Sequence, residues 1–399
     1  MTIALIGSDI PGLIPGLLAD MFYANKAEGS FKLFEPNPAL GELLENYANA
    51  VIEKSGIRGR FIICHDLETA LEGADAVLFS DSLQCASRFQ MDVSALGGEN
   101  DEDEGLKNQA RLHDGVEGLL FTLRQGAKAL TLVEAMRKKC PDATVLNLSE
   151  PLSQITALFC LCGFTCYGFG ESPDITALCK QMNKIPSTVT FETEGLYRFQ
   201  FLTALQSGKD LMPEAARLYK QGAMGDEKKL YFSWYDALPI GEGHGESLPQ
   251  NDYFTPDLNP VLSEPIERRK ERMLRMNEVV THGLSSAHGQ LAQLSLIKNV
   301  SAIRPVQFLL RGEGNVLKMQ DGLVIQGAID NLPQAALDTA LEVANGHLLS
   351  AKAAMGDREA LRGYIETAPA FAGLDRLYLQ SLIESMLSLH GDILPLFSE

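Results

Sequence analysis

Basic residues are scarce in this 399-residue chain: 34 Lys and Arg stand against 52 Asp and Glu, for a formal net charge of −18. A phosphate backbone is bound by clustered Lys and Arg, so the balance argues against a nucleic-acid partner. The carboxylates read as a solvated enzyme surface, and the acidic run 99–104 as a solvated loop. Paired cysteines are lacking too. The seven cysteines show no repeated spacing, which excludes a disulfide framework. Cys160-x-Cys162-x-x-x-Cys166 has no second pair, which argues against zinc, and Cys160 and Cys162 read as core thiols within the apolar run 157–164. No uninterrupted apolar run of about 18 residues occurs, and no charged-then-apolar leader precedes Ile3. The expectation is a cytoplasmic, reduced protein with no membrane partner. Internal repeats, low-complexity tracts and a linker between halves are also absent.

What is present is ordinary for a folded protein with a sizeable core: 45% hydrophobic and 22% charged residues. Short apolar runs alternate with helical patterns in the first half, the signature of a parallel sheet covered by helices. Expected strands are Ile3–Ile6, Phe31–Phe34, Phe61–Cys64, Ala76–Phe79, Thr144–Leu148 and Phe164–Tyr167. Expected helices are Leu13–Ala24, Ala39–Lys54, Leu67–Glu72 and Gly115–Lys139, the last with one apolar stripe from Leu119 to Val133. This is α/β, a doubly wound Rossmann-like domain over 1–190 followed by a C-terminal α/β domain over 191–399. In the second half, Ser187–Phe191 reads as a strand, Lys209–Lys229 as helical, Pro239–Pro260 as loop and Glu264–Gly283 as a charged helix. Phe308–Ile329 reads as strands, and Gln334–Leu387 as helices broken at Gly346, Gly356 and Pro369.

Gly7-Ser8-Asp9-Ile10-Pro11-Gly12 lies between a strand and a helix, where a phosphate-binding turn belongs. Gly7 permits the tight turn and Gly12 the close helix approach. Asp9 replaces the middle glycine, and its carboxylate repels a nearby phosphate. Glu35 ends the second strand about 20 residues beyond the turn, where an acid accepts bonds from ribose hydroxyls and disfavours a 2′-phosphate. NAD is the cofactor this pattern favours; a plain βα turn with a helix-capping acid is the other reading.

A series of further segments, taken in order, resembles family 4 of the glycoside hydrolases, the NAD-dependent glycosidases. They include Leu71–Val77, His113–Gly118 with Arg124, Cys140–Pro151, Cys166–Ser172, Gly195–Phe199, Leu238–His244 and Gly327–Pro333. The loop 238–244 is similar to the α-galactosidase and α-galacturonidase branch. The resemblance implies a lactate/malate dehydrogenase-like C-terminal domain, a carbohydrate substrate and a homodimer or homotetramer. It implies that Asn147 lines the nicotinamide and sugar pocket, with Glu150 (in place of an Asn) and Arg124 at the substrate. The implied mechanism oxidises C3, eliminates the aglycone and adds water, instead of using the usual carboxylate pair. The family's metal ligands are a Cys and a His; this chain has Gly170 and Arg198 in their places, so no metal is expected.

Arg198 then has three readings: a fixed cation replacing the metal charge, a bidentate partner for a uronic carboxylate, or a residue filling an abandoned site beside Glu171 or Glu150. Glu171 is a candidate acid for the leaving group, or simply an acid at a helix start. Glu242 is a candidate base with His244 beside it, or both are plain loop residues. Tyr235 and Tyr253 are possible bases by type alone. His65 and His113 read as capping or core residues, and His282 and His288 are not spaced as a metal pair. Three functions stay open: a metal-free glycosidase, an NAD-dependent sugar or hydroxy acid dehydrogenase, and a catalytically silent NAD- or sugar-binding protein.

Overall fold

The computed structural model describes residues 1–23, 29–55, 58–81, 85–95, 114–170, 173–240, 270, 274, 276–278, 280, 305–312, 316–392 and 394. In chain order the elements begin β1 (Thr2–Ile6), α1 (Ile10–Tyr23), β2 (Gly29–Phe34), α2 (Pro38–Ser55), β3 (Gly59–Cys64), α3 (Leu67–Leu71) and β4 (Ala76–Phe79). They continue with α4 (Cys85–Ala95), α5 (Gly115–Lys139), β5 (Thr144–Asn147), α6 (Leu152–Leu161), β6 (Cys166–Gly168) and α7 (Thr176–Gln181). Then follow β7 (Thr190–Leu196), β8 (Phe199–Gln206), α8 (Met212–Lys220), α9 (Asp226–Tyr235), β9 (Leu238–Ile240) and α10 (Pro305–Arg311). The chain closes with β10 (Leu317–Gln320), β11 (Leu323–Gln326), α11 (Gln334–Ala354), α12 (Arg358–Thr367) and α13 (Arg376–Leu389).

The chain forms two compact units. Met1–Met91, Ala127–Glu171 and Asp257–Gly314 make the first; Asp92–Gly126, Ser172–Pro256 and Asn315–Glu399 make the second. In the first unit, β3, β2, β1, β4, β5 and β6 lie side by side in that order and all run parallel. Parallel strands carry helices on both faces, so their residues are buried on both sides. That is why β4 is Ala-Val-Leu-Phe with every residue buried. The order reverses direction between β1 and β4, the switch point outside which ligands of open α/β sheets bind.

The second unit is built on the antiparallel strands β7, β8 and β9 and on the β10–β11 hairpin. One core cluster packs α7, α8 and Phe232 against β8 and β9, and another packs α11 against Phe199, Phe201, Tyr231 and Tyr235. Asp66, Asp357 and Asp375 start α3, α12 and α13 by accepting from the amides of Thr69, Ala360 and Tyr378. Among the described residues no helix is long and apolar enough to cross a membrane.

The α/β class and the parallel sheet are as expected, and α5 has the bounds read from its stripe. Several expectations need correction. Ser187–Phe191 begins as a 3-10 turn, and the strand starts at Thr190. Lys209–Lys229 is two helices, interrupted where Gly222 and Gly225 take positive φ. Phe308 lies in a helix, α10, whose start is capped from elsewhere: the Asp20 carboxylate accepts from the Val306 amide at 2.6 Å and from the Gln307 side chain at 2.8 Å. Gly346 does not break α11; it lies buried within the helix, where even a Cβ would make only an ordinary contact with the Tyr364 ring. Pro239 and Ile240, expected in a loop, belong to β9; the rest of 239–260 and most of 264–283 lie outside the described residues.

Candidate functional site

In the first unit the site is built at the carboxyl ends of β1, β4, β5 and β6. Gly7 has φ +124°, and a Cβ built on it would lie 2.1 Å from the Ser80 carbonyl oxygen. Only glycine lets β1 leave the sheet this close to β4. The Asp9 amide donates to that same Ser80 carbonyl at 3.2 Å, and the Ser80 hydroxyl donates to the Asp9 carboxylate at 3.4 Å. Gly12 lies in the first turn of α1 and donates to the Asp9 carbonyl. The neighbouring Asp81 is approached by the Ser8 hydroxyl at 3.1 Å and by Lys128 Nζ at 3.2 Å. Its amide donates to Ser149 Oγ at 2.7 Å, and Ser149 Oγ donates back to the Asp81 carbonyl.

Asn147 continues this chain of contacts. Its Oδ1 accepts from the Ser149 amide, and its amide hydrogens point to Ser149, Leu152 and Thr156. The side chain is buried. Asn147, expected to line the nicotinamide and sugar pocket, thus holds the loop after β5 in shape. Glu150 accepts from the Leu152 amide at 2.7 Å at the start of α6, where a negative charge is favoured. Glu35 accepts from the Asn37 amide at 2.9 Å at the end of β2, and its carbonyl meets the His65 ring. Beyond β6, Tyr167 and Phe169 pack edge-on against Phe308 of α10, with centroids 4.7 and 5.4 Å away. They form an aromatic wall beside Gly170.

These residues fit a dinucleotide at the tight Gly7 turn, at Glu35, and at the helix end that favours an anion. Asp9 opposes it, since its carboxylate stands where a pyrophosphate charge belongs. Lys128 offsets Asp81 but leaves Asp9. At positions 170 and 198 stand a glycine, which offers no side-chain donor, and an arginine, a poor metal ligand; among the described residues no group of three or more His, Cys, Asp or Glu could hold a metal ion.

In the second unit Arg198 occupies the two-residue turn between β7 and β8, with φ +65° and its guanidinium 5.8 Å from the Tyr197 ring centroid. A non-glycine residue in that conformation costs of order 1 kcal/mol and commonly marks a functional turn. The hairpin is held rigidly: Gly195 donates to the Ala328 carbonyl at 2.9 Å, and its missing Cβ would meet the Phe199 carbonyl at 2.3 Å. Glu194, one residue earlier, accepts twice from Asn331.

Arg124, expected at the substrate, lies in a buried polar cluster of the second unit. It is buried, and its guanidinium bonds Asp92 and Glu117, with His390 3.5 Å away; His390 also bonds Asp92 at 2.6 Å. The guanidinium is thereby held between two buried carboxylates. Burial pushes Glu117 well above the usual carboxylate range, against the pull of Arg124. Burial would raise Asp92 too, but the bond to His390 and the Arg124 charge outweigh it and hold Asp92 low.

Glu171, Glu242, His244, Tyr253 and His113 lie outside the described residues. Sequence reasoning missed Asp81, Lys128 and Ser149. The available signal was position: Asp81 stands just past the carboxyl end of an all-apolar strand.

The comparisons agree with this architecture. Residues 2–164 match the model of the family 4 glycosyl hydrolases. An α-galacturonidase of Thermoanaerobacterium saccharolyticum is 26% identical over 155 residues, which are 38% of this chain and 32% of that protein. An α-glucosidase of Erwinia rhapontici is 27% identical over 154 residues, 38% of this chain and 33% of that one. The aligned part thus spans about a third of the length of the curated relatives. A 6-phospho-α-glucosidase from gut microorganisms, solved with NAD and Mn²⁺, superposes with a TM-score of 0.68 at 15% identity, covering 98% of both chains. The 6-phospho-β-glucosidase of Thermotoga maritima gives 0.62 at 16%, covering 98% of this chain and 99% of its own. At such identities these two show a shared fold. Over residues 2–164 the chain is thus similar to the family 4 glycosyl hydrolases.

Proposed function

We propose that the chain is an NAD-dependent glycosidase that cleaves by oxidation and elimination, with Arg198 standing in for the metal charge. The observation that carries this reading is the tight nucleotide-type turn, Gly7 against the Ser80 carbonyl; in the sequence, Arg198 stands where the resemblance puts a metal-ligating His. The solved relatives with NAD support the cofactor. We further propose residues 1–190 as the nucleotide-binding domain and 191–399 as the substrate and oligomerisation domain, in a dimer or tetramer.

NAD, when bound, would take a hydride from C3 of the sugar and return it after water has added across the C1–C2 double bond left by elimination. Gly7, Glu35 and the start of α1 hold and orient that cofactor, and Asn147 shapes the loop beside it. Arg198 stabilises the negative charge that develops on oxygen once the C2 proton leaves. Glu242, assisted by His244, accepts that C2 proton as the C1 bond to the aglycone breaks. Glu171 donates a proton to the departing oxygen, which requires its carboxyl to be raised toward neutrality. Glu150 borders the substrate, and Arg198 also suits a uronic carboxylate. One cation is weaker than a divalent ion, so a slow turnover or an acidic sugar follows.

The test is nitrophenol release from α- and β-glycosides, uronides and 6-phosphates included, with and without NAD⁺. Release that needs NAD⁺ supports this reading and names the sugar. NAD⁺ binding without release points to the silent binding protein that Asp9 and the lost metal ligands favour, and NADH accumulation without aglycone to a dehydrogenase.

A further inference from the structure

The only tryptophan of the chain, Trp234, is 48% exposed near the end of α9. Its indole is fixed from below: Tyr235 meets it at 90° with centroids 6.5 Å apart, and Tyr231 at 5.7 Å. Tyr231 is anchored in turn by a 2.8 Å bond to Glu227. Beside the indole opens a cavity of about 570 Å³ within the second unit, lined by Tyr235, Thr339, Glu342, Thr367 and Arg376 among others. That size falls in the roughly 300–1,000 Å³ range of small-molecule pockets. Arg376 is held in place by donating to the Ile365 carbonyl at 2.8 Å. Burial pushes the Tyr235 hydroxyl up to about 12, so it stays a neutral donor.

The chemistry of the walls selects a ligand. Glu342 only accepts hydrogen bonds, Arg376 only donates them, and the two threonine hydroxyls do both. Vicinal diols match such a mixture, because each hydroxyl can donate to the carboxylate and accept from the guanidinium. An exposed, rigid aromatic plane suits the C–H face of a pyranose ring. One cation opposite one carboxylate gives no net attraction for a phosphate or carboxylate group.

We propose that this cavity is a second carbohydrate-binding site, which stacks a neutral pyranoside on Trp234 and binds its hydroxyls through Glu342 and Arg376. The choice of ligand class rests on the glycosidase reading. The site would hold part of an extended substrate, or its glycan neighbour.

The single tryptophan makes its fluorescence a direct probe. The full chain is titrated with cellobiose, maltotriose and a digalacturonic acid. The neutral sugars should change the emission saturably, and Glu342→Gln and Arg376→Gln should each weaken the response about fivefold, the loss of about one hydrogen bond. NAD⁺-dependent nitrophenol release should be unchanged in both variants. Emission unmoved by either neutral sugar overturns the site. So does a response to the uronic sugar alone, or equal affinity in both variants. The two readings fail separately. Cleavage with unmoved emission removes only this site, whereas sugar-dependent emission without any cleavage removes only the glycosidase reading.

Discussion

Gly7 and Ser80 approach so closely that any side chain on Gly7 would lie 2.1 Å from the Ser80 carbonyl oxygen. The same carbonyl receives the Asp9 amide, so the turn is pinned to β4 on two sides. Gly7→Ala must part β1 from β4 or rebuild the turn, besides straining a φ of +124°. A loss of about 3 kcal/mol is expected, read as a drop in Tm together with lost NAD⁺ binding. Unchanged melting would mean that the turn can relax freely.

Asp9 is the one group at the turn that opposes a pyrophosphate. Removing its charge in Asp9→Gly should tighten NAD⁺ binding about tenfold, of order 1 kcal/mol for one partly screened charge. The gain should shrink as salt is added, because the repulsion is screened. Calorimetric titration at two salt concentrations checks this. Equal or weaker binding would show that Asp9 points away from the phosphates.

Much of this architecture was legible locally. The six parallel strands announce themselves as short apolar runs, and α5 as an uninterrupted stripe ending in Arg137, Lys138 and Lys139. What was not legible depends on partners distant in sequence. Phe308 reads as a strand residue because nothing near it reveals that Asp20 caps the helix it belongs to. Arg124 reads as a substrate ligand because Asp92 and His390, which engage it, lie 32 positions before and 266 after. The loop-holding bonds of Asn147 to Ser149, Leu152 and Thr156 were likewise not legible in its sequence position. Lys128 was hidden among the exposed charges of a long helix until Asp81 was found beside it.

The buried group around Arg124 makes stability depend on pH in opposite directions. Glu117 has its folded pKa raised, so its contribution is full below the ordinary carboxylate range and is lost as pH rises through the folded value. Asp92 has its folded pKa lowered, so its contribution is lost only as pH falls through that value. Glu117→Gln cannot ionise and keeps an acceptor for Arg124. Its Tm should therefore gain on the wild type as pH rises above the carboxylate range, then level off. Asp92→Asn should cost about 3–5 kcal/mol, because it strips charge from a buried partner of Arg124. A Tm difference for Glu117→Gln that is flat with pH would contradict this assignment.

The most direct test of the account is the metal dependence of glycoside cleavage. Nitrophenol release with NAD⁺ is measured in chelator and in Mn²⁺, for the wild type and for Arg198→Ala. The account predicts equal wild-type rates in both media, and a loss of about 100-fold or more in Arg198→Ala, as for removal of one preorganised charge stabiliser. Cleavage abolished by chelator and restored by Mn²⁺, or a fully active Arg198→Ala, would contradict it.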